Sequence, residues 1–197
     1  MTRDELLAPL ARARGDQVVV TTMAMVRPWA RHSDHPLDFA SADSAMGHAA
    51  DFALGLALAR PERQVICLNG DGSMLMTLGT LATAVEAGAR NLVLFVAQNG
   101  TYEVTGHQRV PGGGAVDFAA MAAAAGFAHA ARFRDAAPYA AALPSLLARE
   151  GPVCIVAEVE RGAEKPLARG PGQKERYLRA SLADAVRELR RVLEERP

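Results

Sequence analysis

Residues 68–73 read Leu-Asn-Gly-Asp-Gly-Ser, so a carboxylate lies between two glycines where a short apolar run gives way to a helical pattern. Backbone amides freed at such a turn, together with the helix dipole, favour an anion. A dinucleotide-type glycine loop would carry a third glycine at position 75, where the chain has Leu75, and a P-loop would need Gly-Lys-Ser/Thr, which is absent. Asp71 beside a bare diphosphate would be repelled. The arrangement makes sense if a divalent cation sits between the two. Magnesium suits that place: it is a hard ion held by one or two protein oxygens together with phosphate oxygens. A second oxygen donor should then come from the end of a neighbouring strand. Leu92–Ala97 is such a strand and runs into Gln98-Asn99-Gly100, and the 28 positions from Asp71 to Asn99 hold one helix and one strand returning to the same edge.

The elements that must position these groups follow from hydrophobic periodicity. Short β-branched runs at Val18–Thr22, Asp38–Ala40, Gln64–Leu68, Leu92–Ala97, Ala128–Phe133 and Val153–Glu158 alternate with helical patterns at about 45–59, 74–88, 117–125 and 136–149. Near-continuous apolar strands separated by helices predict an α/β fold: a doubly wound, mainly parallel sheet with helices on both faces. Right-handed crossovers then gather the strand C-termini, and any ligand, along one edge. The spacing of Leu178, Leu182, Val186, Leu189 and Leu193 predicts a C-terminal amphipathic helix over about 172–195. Residues 23–37 and the Gly-Gly-Gly segment within Pro111–Ala115 read as irregular. The expected organisation is one domain, 1–197, with its core at about 17–160.

Bulk properties limit the partners. Half of the 197 residues are hydrophobic, enough for one substantial core. Lys+Arg and Asp+Glu both number 22, which gives no reason to expect nucleic acid or an anionic membrane surface. No apolar run approaches the roughly 20 residues needed to span a bilayer, and Met1–Leu10 lacks the apolar core of a signal peptide. A cytoplasmic protein is the expectation. Cys67 and Cys154 each fall inside a strand and read as small core residues.

Gly70-Asp71-Gly72, followed one helix and one strand later by Asn99, resembles the diphosphate-binding domain of the thiamine-diphosphate-dependent enzymes. Thiamine diphosphate and Mg2+ are the cofactors that this resemblance implies. It implies that Asp71, the Asn99 side chain and the Thr101 backbone carbonyl bind the metal, and that the Gly70 turn and the amides of Gly72 and Ser73 meet the diphosphate. "ADSAMGHAADFALGLALA" is similar to the stretch that holds the aminopyrimidine in this family. Met46 there stands where a bulky apolar residue props the cofactor into its bent form, and the Ser44 carbonyl would accept from the exocyclic amine. "VVVTTMA" falls where the family's first strand gives hydroxyl groups to the diphosphate, making Thr21 and Thr22 candidates, although both could simply end a strand. "NGTYEVTGHQ" looks like the small decarboxylases of phosphonopyruvate and sulfopyruvate, with "RYLRASL" a weaker echo.

The histidines carry less. His48 and His107 flank the expected site and could bind an anionic substrate or shuttle a proton near neutral pH. Each reads equally well as a solvated or helix-packing residue, with a substrate-side, catalytic role favoured for His107. His32, Asp34 and His35 lack the spacing of a known metal motif and read as an exposed polar loop.

In the family the resemblance points to, a glutamate on a second, pyrimidine-binding domain activates the cofactor. The chain has no room for that domain, and neither Glu86 nor Glu103 matches that glutamate. The resemblance therefore implies a β-type subunit of a 2-oxo acid decarboxylase, a lyase inactive without a pyrimidine-binding partner subunit. The small 2-oxo acid itself is left open, and a homodimer core is compatible. A ferredoxin-linked oxidoreductase subunit would need four cysteines for its cluster. Half of a carboligase or transketolase-type enzyme, and a non-catalytic cofactor-binding module, stay open as alternatives.

Overall fold

The computed structural model of the chain describes residues 1–41 and 45–195. Its elements in order are α1 (Arg3–Ala13), β1 (Val18–Thr22), α2 (Met23–Ala30), β2 (Asp38–Ser41), α3 (Ala49–Ala59), β3 (Val65–Gly70), α4 (Asp71–Met76), α5 (Thr80–Glu86), β4 (Leu92–Gln98), β5 (Thr101–Tyr102), β6 (Gln108–Arg109), α6 (Phe118–Ala125), β7 (His129–Phe133), α7 (Ala136–Leu147), β8 (Val153–Glu158) and α8 (Leu182–Glu195). Six strands form one parallel sheet in the order β2-β1-β3-β4-β8-β7, and β5 with β6 make a separate antiparallel ribbon. The doubly wound α/β expectation holds.

Alternating strand residues serve the two faces, as the pleat requires. Val18, Val20, Val65, Cys67, Leu92, Leu94, Cys154 and Val156 pack toward α3, α5, α6 and α8. Val19, Ile66, Leu68, Val93, Phe95 and Ile155 pack toward α1, α2 and α7. Both faces are covered, so no position of β1, β3 or β4 could carry a solvated polar residue until the strands approach their C-terminal ends.

Three expectations are corrected. Residues 23–37 are not irregular throughout: Met23–Ala30 is helical despite Pro28, because Met25, Val26, Pro28 and Trp29 bury one face and the proline forfeits a single backbone bond. The helical pattern at 74–88 begins earlier, at Asp71, and breaks at residues 77–79, where Thr77 Oγ1 donates to the Gly47 carbonyl at 2.7 Å. The C-terminal helix is shorter than 172–195: it runs Leu182–Glu195, started by the Ser181 hydroxyl accepting from the Asp184 amide at 3.1 Å, while Arg176–Leu178 form a separate 3-10 turn. Its buried stripe is Ala185, Leu189, Val192 and Leu193, and Val186 is exposed.

The strand order reverses beside β1: β2 lies on one side of it, and β3 and the later strands on the other. Such a switch point opens a crevice at the C-terminal ends of the strands on either side. The ends of β1 and β3 are Thr22 and Gly70.

Candidate functional site

A cleft of about 150 Å³ lies at that switch point, lined by Thr22 and Ser41 from β1 and β2, by Gly70–Ser73 at the turn from β3, and by Asn99 and residues 101–105 beyond β4. Met46, Gly47 and Met76 form one wall, and Arg3 and Met23–Met25 another.

Asp71 is one of the lining residues. The residue is 3% exposed. Its Oδ1 accepts from the Gly72 amide at 2.9 Å and its Oδ2 from the Gly100 amide at 2.7 Å. No cationic side chain lies within ion-pair distance among the described residues. Burial pushes the Asp71 pKa above the ordinary carboxylate value, and the amides of Gly100 and Gly72 offset only part of the rise. Gly72 is required by space: a Cβ there would lie 2.5 Å from Tyr102 Cε1. Gly100 is required by conformation, with φ 73, which lets its amide turn back to Asp71 while its carbonyl accepts from the Val110 amide at 3.1 Å.

Asn99 follows the last residue of β4. Its Oδ1 accepts from the Thr101 amide at 2.9 Å and its Nδ2 donates to Glu103 Oε2 at 2.9 Å. Thr101 is buried and begins the β5–β6 ribbon, which folds residues 101–109 back over the strand ends. Parallel pairing of β3 with β4 puts Gly70 opposite Ala97. The two residues expected to share a cation, 28 positions apart in sequence, therefore leave the sheet side by side.

The other expected residues divide. Gly70, Gly72, Ser73 and Met46 line the cleft, Met46 being 63% exposed. Thr22 lines it too, but the Thr21 hydroxyl is turned into the sheet, donating to the Phe39 carbonyl at 3.4 Å. Ser44 lies outside the described residues. His48 and His107 are both exposed and are not among the lining residues. His48 Nδ1 lies 2.5 Å from Asp51 Oδ2, and His107 Nδ1 lies 3.4 Å from Thr101 Oγ1. His32 and His35 bond with Asp4 and Asp16. Among the described residues no cluster of three His, Cys, Asp or Glu side chains could hold a metal. A cation in this cleft would have to rely on amide and carbonyl oxygens beside Asp71.

Tyr102, Glu103 and Arg3 are lining residues to which sequence reasoning gave no role. Glu103 is 4% exposed and forms a two-pronged ion pair with Arg3 of α1. Burial alone would raise its pKa, but the bonds from Arg3 and from the Glu164 and Gly162 amides hold it below the ordinary value. Arg3 and Glu103 are 100 positions apart, so no local pattern signals the pair.

Residues 19–157 match the family "Thiamine pyrophosphate enzyme, C-terminal TPP binding domain". The chain belongs to this family. It is 40% identical over 141 residues to the phosphonopyruvate decarboxylase of Streptomyces viridochromogenes, a match covering 69% of the chain and 34% of that protein. It is 39% identical over 118 residues to the sulfopyruvate decarboxylase subunit beta of Methanothermobacter thermautotrophicus, covering 60% of each. The chain thus spans about a third of the phosphonopyruvate decarboxylase it matches. The fold is shared with the thiamine diphosphate-dependent 4-hydroxybenzoylformate decarboxylase of Rhodococcus jostii, with TM-score 0.71 and 24% identity over 83% of this chain and 33% of that one. Among the described residues no helix is long and apolar enough to cross a membrane.

Proposed function

We propose that this chain is the diphosphate-binding half of a thiamine-diphosphate-dependent 2-oxo acid decarboxylase, acting on a substrate of the phosphonopyruvate or sulfopyruvate kind. In this reading residues 1–197 act as one domain, and a pyrimidine-binding subunit carrying the activating glutamate completes the site. The observation that carries it is Asp71, a buried carboxylate with two amide donors and no cationic side chain beside it, in the same cleft as Asn99 and Thr101.

The residues present fit the cofactor and its metal. Asp71, the Asn99 amide oxygen and the Thr101 carbonyl are hard oxygen donors of the kind Mg2+ takes. The turn at Gly70, with the Gly72 and Ser73 amides, would receive the diphosphate, and Thr22 would add a hydroxyl. Met46 and the Ser44 carbonyl would take the aminopyrimidine side. When bound, thiamine diphosphate supplies an electron sink for the loss of carbon dioxide from a 2-oxo acid. The chain's own residues bind and orient it, and the Tyr102 ring packed on Gly72 closes the turn against side chains. His48 and His107, outside the cleft, have no part in this reading. The exposed Met46 and Met76 suit a surface that a partner subunit covers. The subunit beta designation of the methanogen relative supports such a partner.

Calorimetric titration of thiamine diphosphate into the chain, with Mg2+ or with a chelator, is the direct test. Binding should require Mg2+ and should vanish in Asp71→Ala. Equal binding by wild type and variant would remove the cofactor reading. With the partner subunit added, carbon dioxide and an aldehyde from 3-phosphonopyruvate or 3-sulfopyruvate support the decarboxylase. An acetohydroxy acid from pyruvate would move the chain to the carboligases, and cofactor binding without turnover would make it a binding module.

A further inference from the structure

We infer that Glu103 is the positioning residue that decides which end of the Asn99 amide is offered to the metal, and that Arg3 and residues 162–164 hold it in that role. The inference rests on the cofactor reading above, in which the Asn99 oxygen is a ligand.

A primary amide has a donor end and an acceptor end of nearly the same shape, so an asparagine offers oxygen to a cation only if its neighbours forbid the flipped orientation. Asn99 has two neighbours that do so together. An ionised carboxylate only accepts, so Glu103 Oε2, 2.9 Å from Nδ2, must face the NH2 group. A backbone N–H only donates, so the Thr101 amide, 2.9 Å from Oδ1, must face the oxygen. A flip would set acceptor against acceptor and donor against donor. The Thr101 amide uses one lone pair of Oδ1. The Thr101 hydroxyl reaches the other at 3.4 Å but also lies 3.4 Å from His107 Nδ1, and by turning to that ring it releases the lone pair to a cation.

Glu103 is fixed in turn. Its two oxygens take both Arg3 guanidinium nitrogens, Asn99 Nδ2, the Gly162 amide at 3.2 Å and the Glu164 amide at 2.7 Å. Those five donors meet the roughly four lone-pair sites of a carboxylate, so none is left over. The donors come from three separate places: α1, the loop after β4, and the segment after β8. Gly162 is built for the approach, since a Cβ there would lie 2.6 Å from Glu103 Oε1 and closer still to the Arg3 guanidinium. With every lone pair engaged and a guanidinium beside it, Glu103 is not free to act as a base in the cleft. Its place is one step behind the metal, and outer-shell partners of this kind orient the ligands they touch.

The test is a Mg2+ titration at fixed thiamine diphosphate, read by calorimetry on the chain. Glu103→Gln should raise the Mg2+ concentration for half-maximal cofactor binding roughly 10- to 100-fold. Adding Asn99→Asp to Glu103→Gln exchanges the donor and the acceptor, because the new glutamine donates to the new aspartate and an oxygen again faces the cation. That pair should recover most of the loss, whereas a merely structural role predicts a double variant as poor as the single one. An unshifted single variant, or a double variant no better than it, overturns the inference. Where Glu103→Gln does not fold, the wild-type chain still decides: by NMR one Asn99 side-chain N–H should exchange slowly with water, and two freely exchanging protons would overturn the inference. A wild-type chain with no Mg2+-dependent cofactor binding would fail the cofactor reading itself, and the positioning role with it.

Discussion

Asp38 and Asp71 are carboxylates buried to the same depth, 5% and 3% exposed, at opposite edges of one sheet. Asp38 opens β2 at the N-terminal edge. It accepts from Arg14 Nη1 at 2.6 Å, Trp29 Nε1 at 2.9 Å, Ser33 Oγ at 2.6 Å and the His35 amide at 2.9 Å. Arg14 also lies over the Trp29 ring, 5.9 Å from its centroid. Asp71 follows β3 at the C-terminal edge and has two backbone amides. The first carboxylate is neutralised where it stands and ties α1, α2 and β2 together. The second is desolvated without a counter-charge, which costs stability in the metal-free chain and keeps its charge for something brought in. Burial alone does not separate a structural acid from a functional one; the sign and number of its partners do.

The sharpest way to break this comparison is to remove the structural acid. Asp38→Ala would leave the Arg14 guanidinium buried and unpaired, at a cost of about 3–5 kcal/mol. Urea unfolding should show that loss, and Arg14→Met in the same chain should recover part of it. A loss below about 1 kcal/mol would mean that Asp38 is not the neutralised anchor described. Mg2+-dependent cofactor binding should survive in whatever fraction folds, because Asp38 lies at the far edge.

Next in size is Gly72→Ala, which tests the functional edge without touching a charge. The new methyl would lie 2.5 Å from the Tyr102 ring and 3.2 Å from Val110 Cγ2. The ring or the turn must move, at about 1–3 kcal/mol. Thermal unfolding should show the loss, and cofactor affinity should fall more than stability alone explains, because the displaced turn carries Asp71. A variant as stable as wild type would show that Tyr102 has room to yield.

The contrast also explains what was legible in the sequence. Strands buried on both faces are continuous apolar runs, so Val18–Thr22, Leu92–Gln98 and Val153–Glu158 could be read to within a residue. Helices α1 and α2 could not, because Pro9 and Pro28 interrupt their patterns and only tertiary burial shows which face counts. In the site, Asp71 and Asn99 were legible as neighbours because one α/β unit separates them and parallel pairing returns them to the same edge; Thr101 came only from the family resemblance. Arg3, Glu103 and Gly162 were not. They meet through contacts spanning 59 and 100 positions, and nothing in the types around Glu103 distinguishes a buried, five-bonded carboxylate from a solvated one. Val186 failed differently: Leu182, Leu189 and Leu193 do share the packed face, but Ala185 rather than Val186 fills its middle, and nothing in the residue types shows which of two apolar neighbours turns inward.

The smallest effect concerns Asp71 alone. Asp71→Ala removes a carboxylate with no ion-pair partner; it gives up two backbone-amide bonds and also the cost of burying the group, so the metal-free chain should change by about 1 kcal/mol or less. The difference between wild type and variant should depend on pH with a definite sign. The folded pKa of Asp71 is raised above the ordinary value of 3.8, so the folded chain holds this proton more tightly than the unfolded chain does. Whatever the protonated group contributes is fully present below 3.8 and is lost as pH rises through the higher folded value. Wild type should therefore lose ground to Asp71→Ala as pH climbs from that point, measured as paired urea midpoints without metal. Mg2+ with thiamine diphosphate at neutral pH should reverse the loss in wild type, raising its Tm as any ligand of the native state does, and should leave Asp71→Ala unmoved. A wild-type chain that gains on the variant as pH rises without metal would mean that Asp71 already has a counter-charge, and the two carboxylates would then be alike.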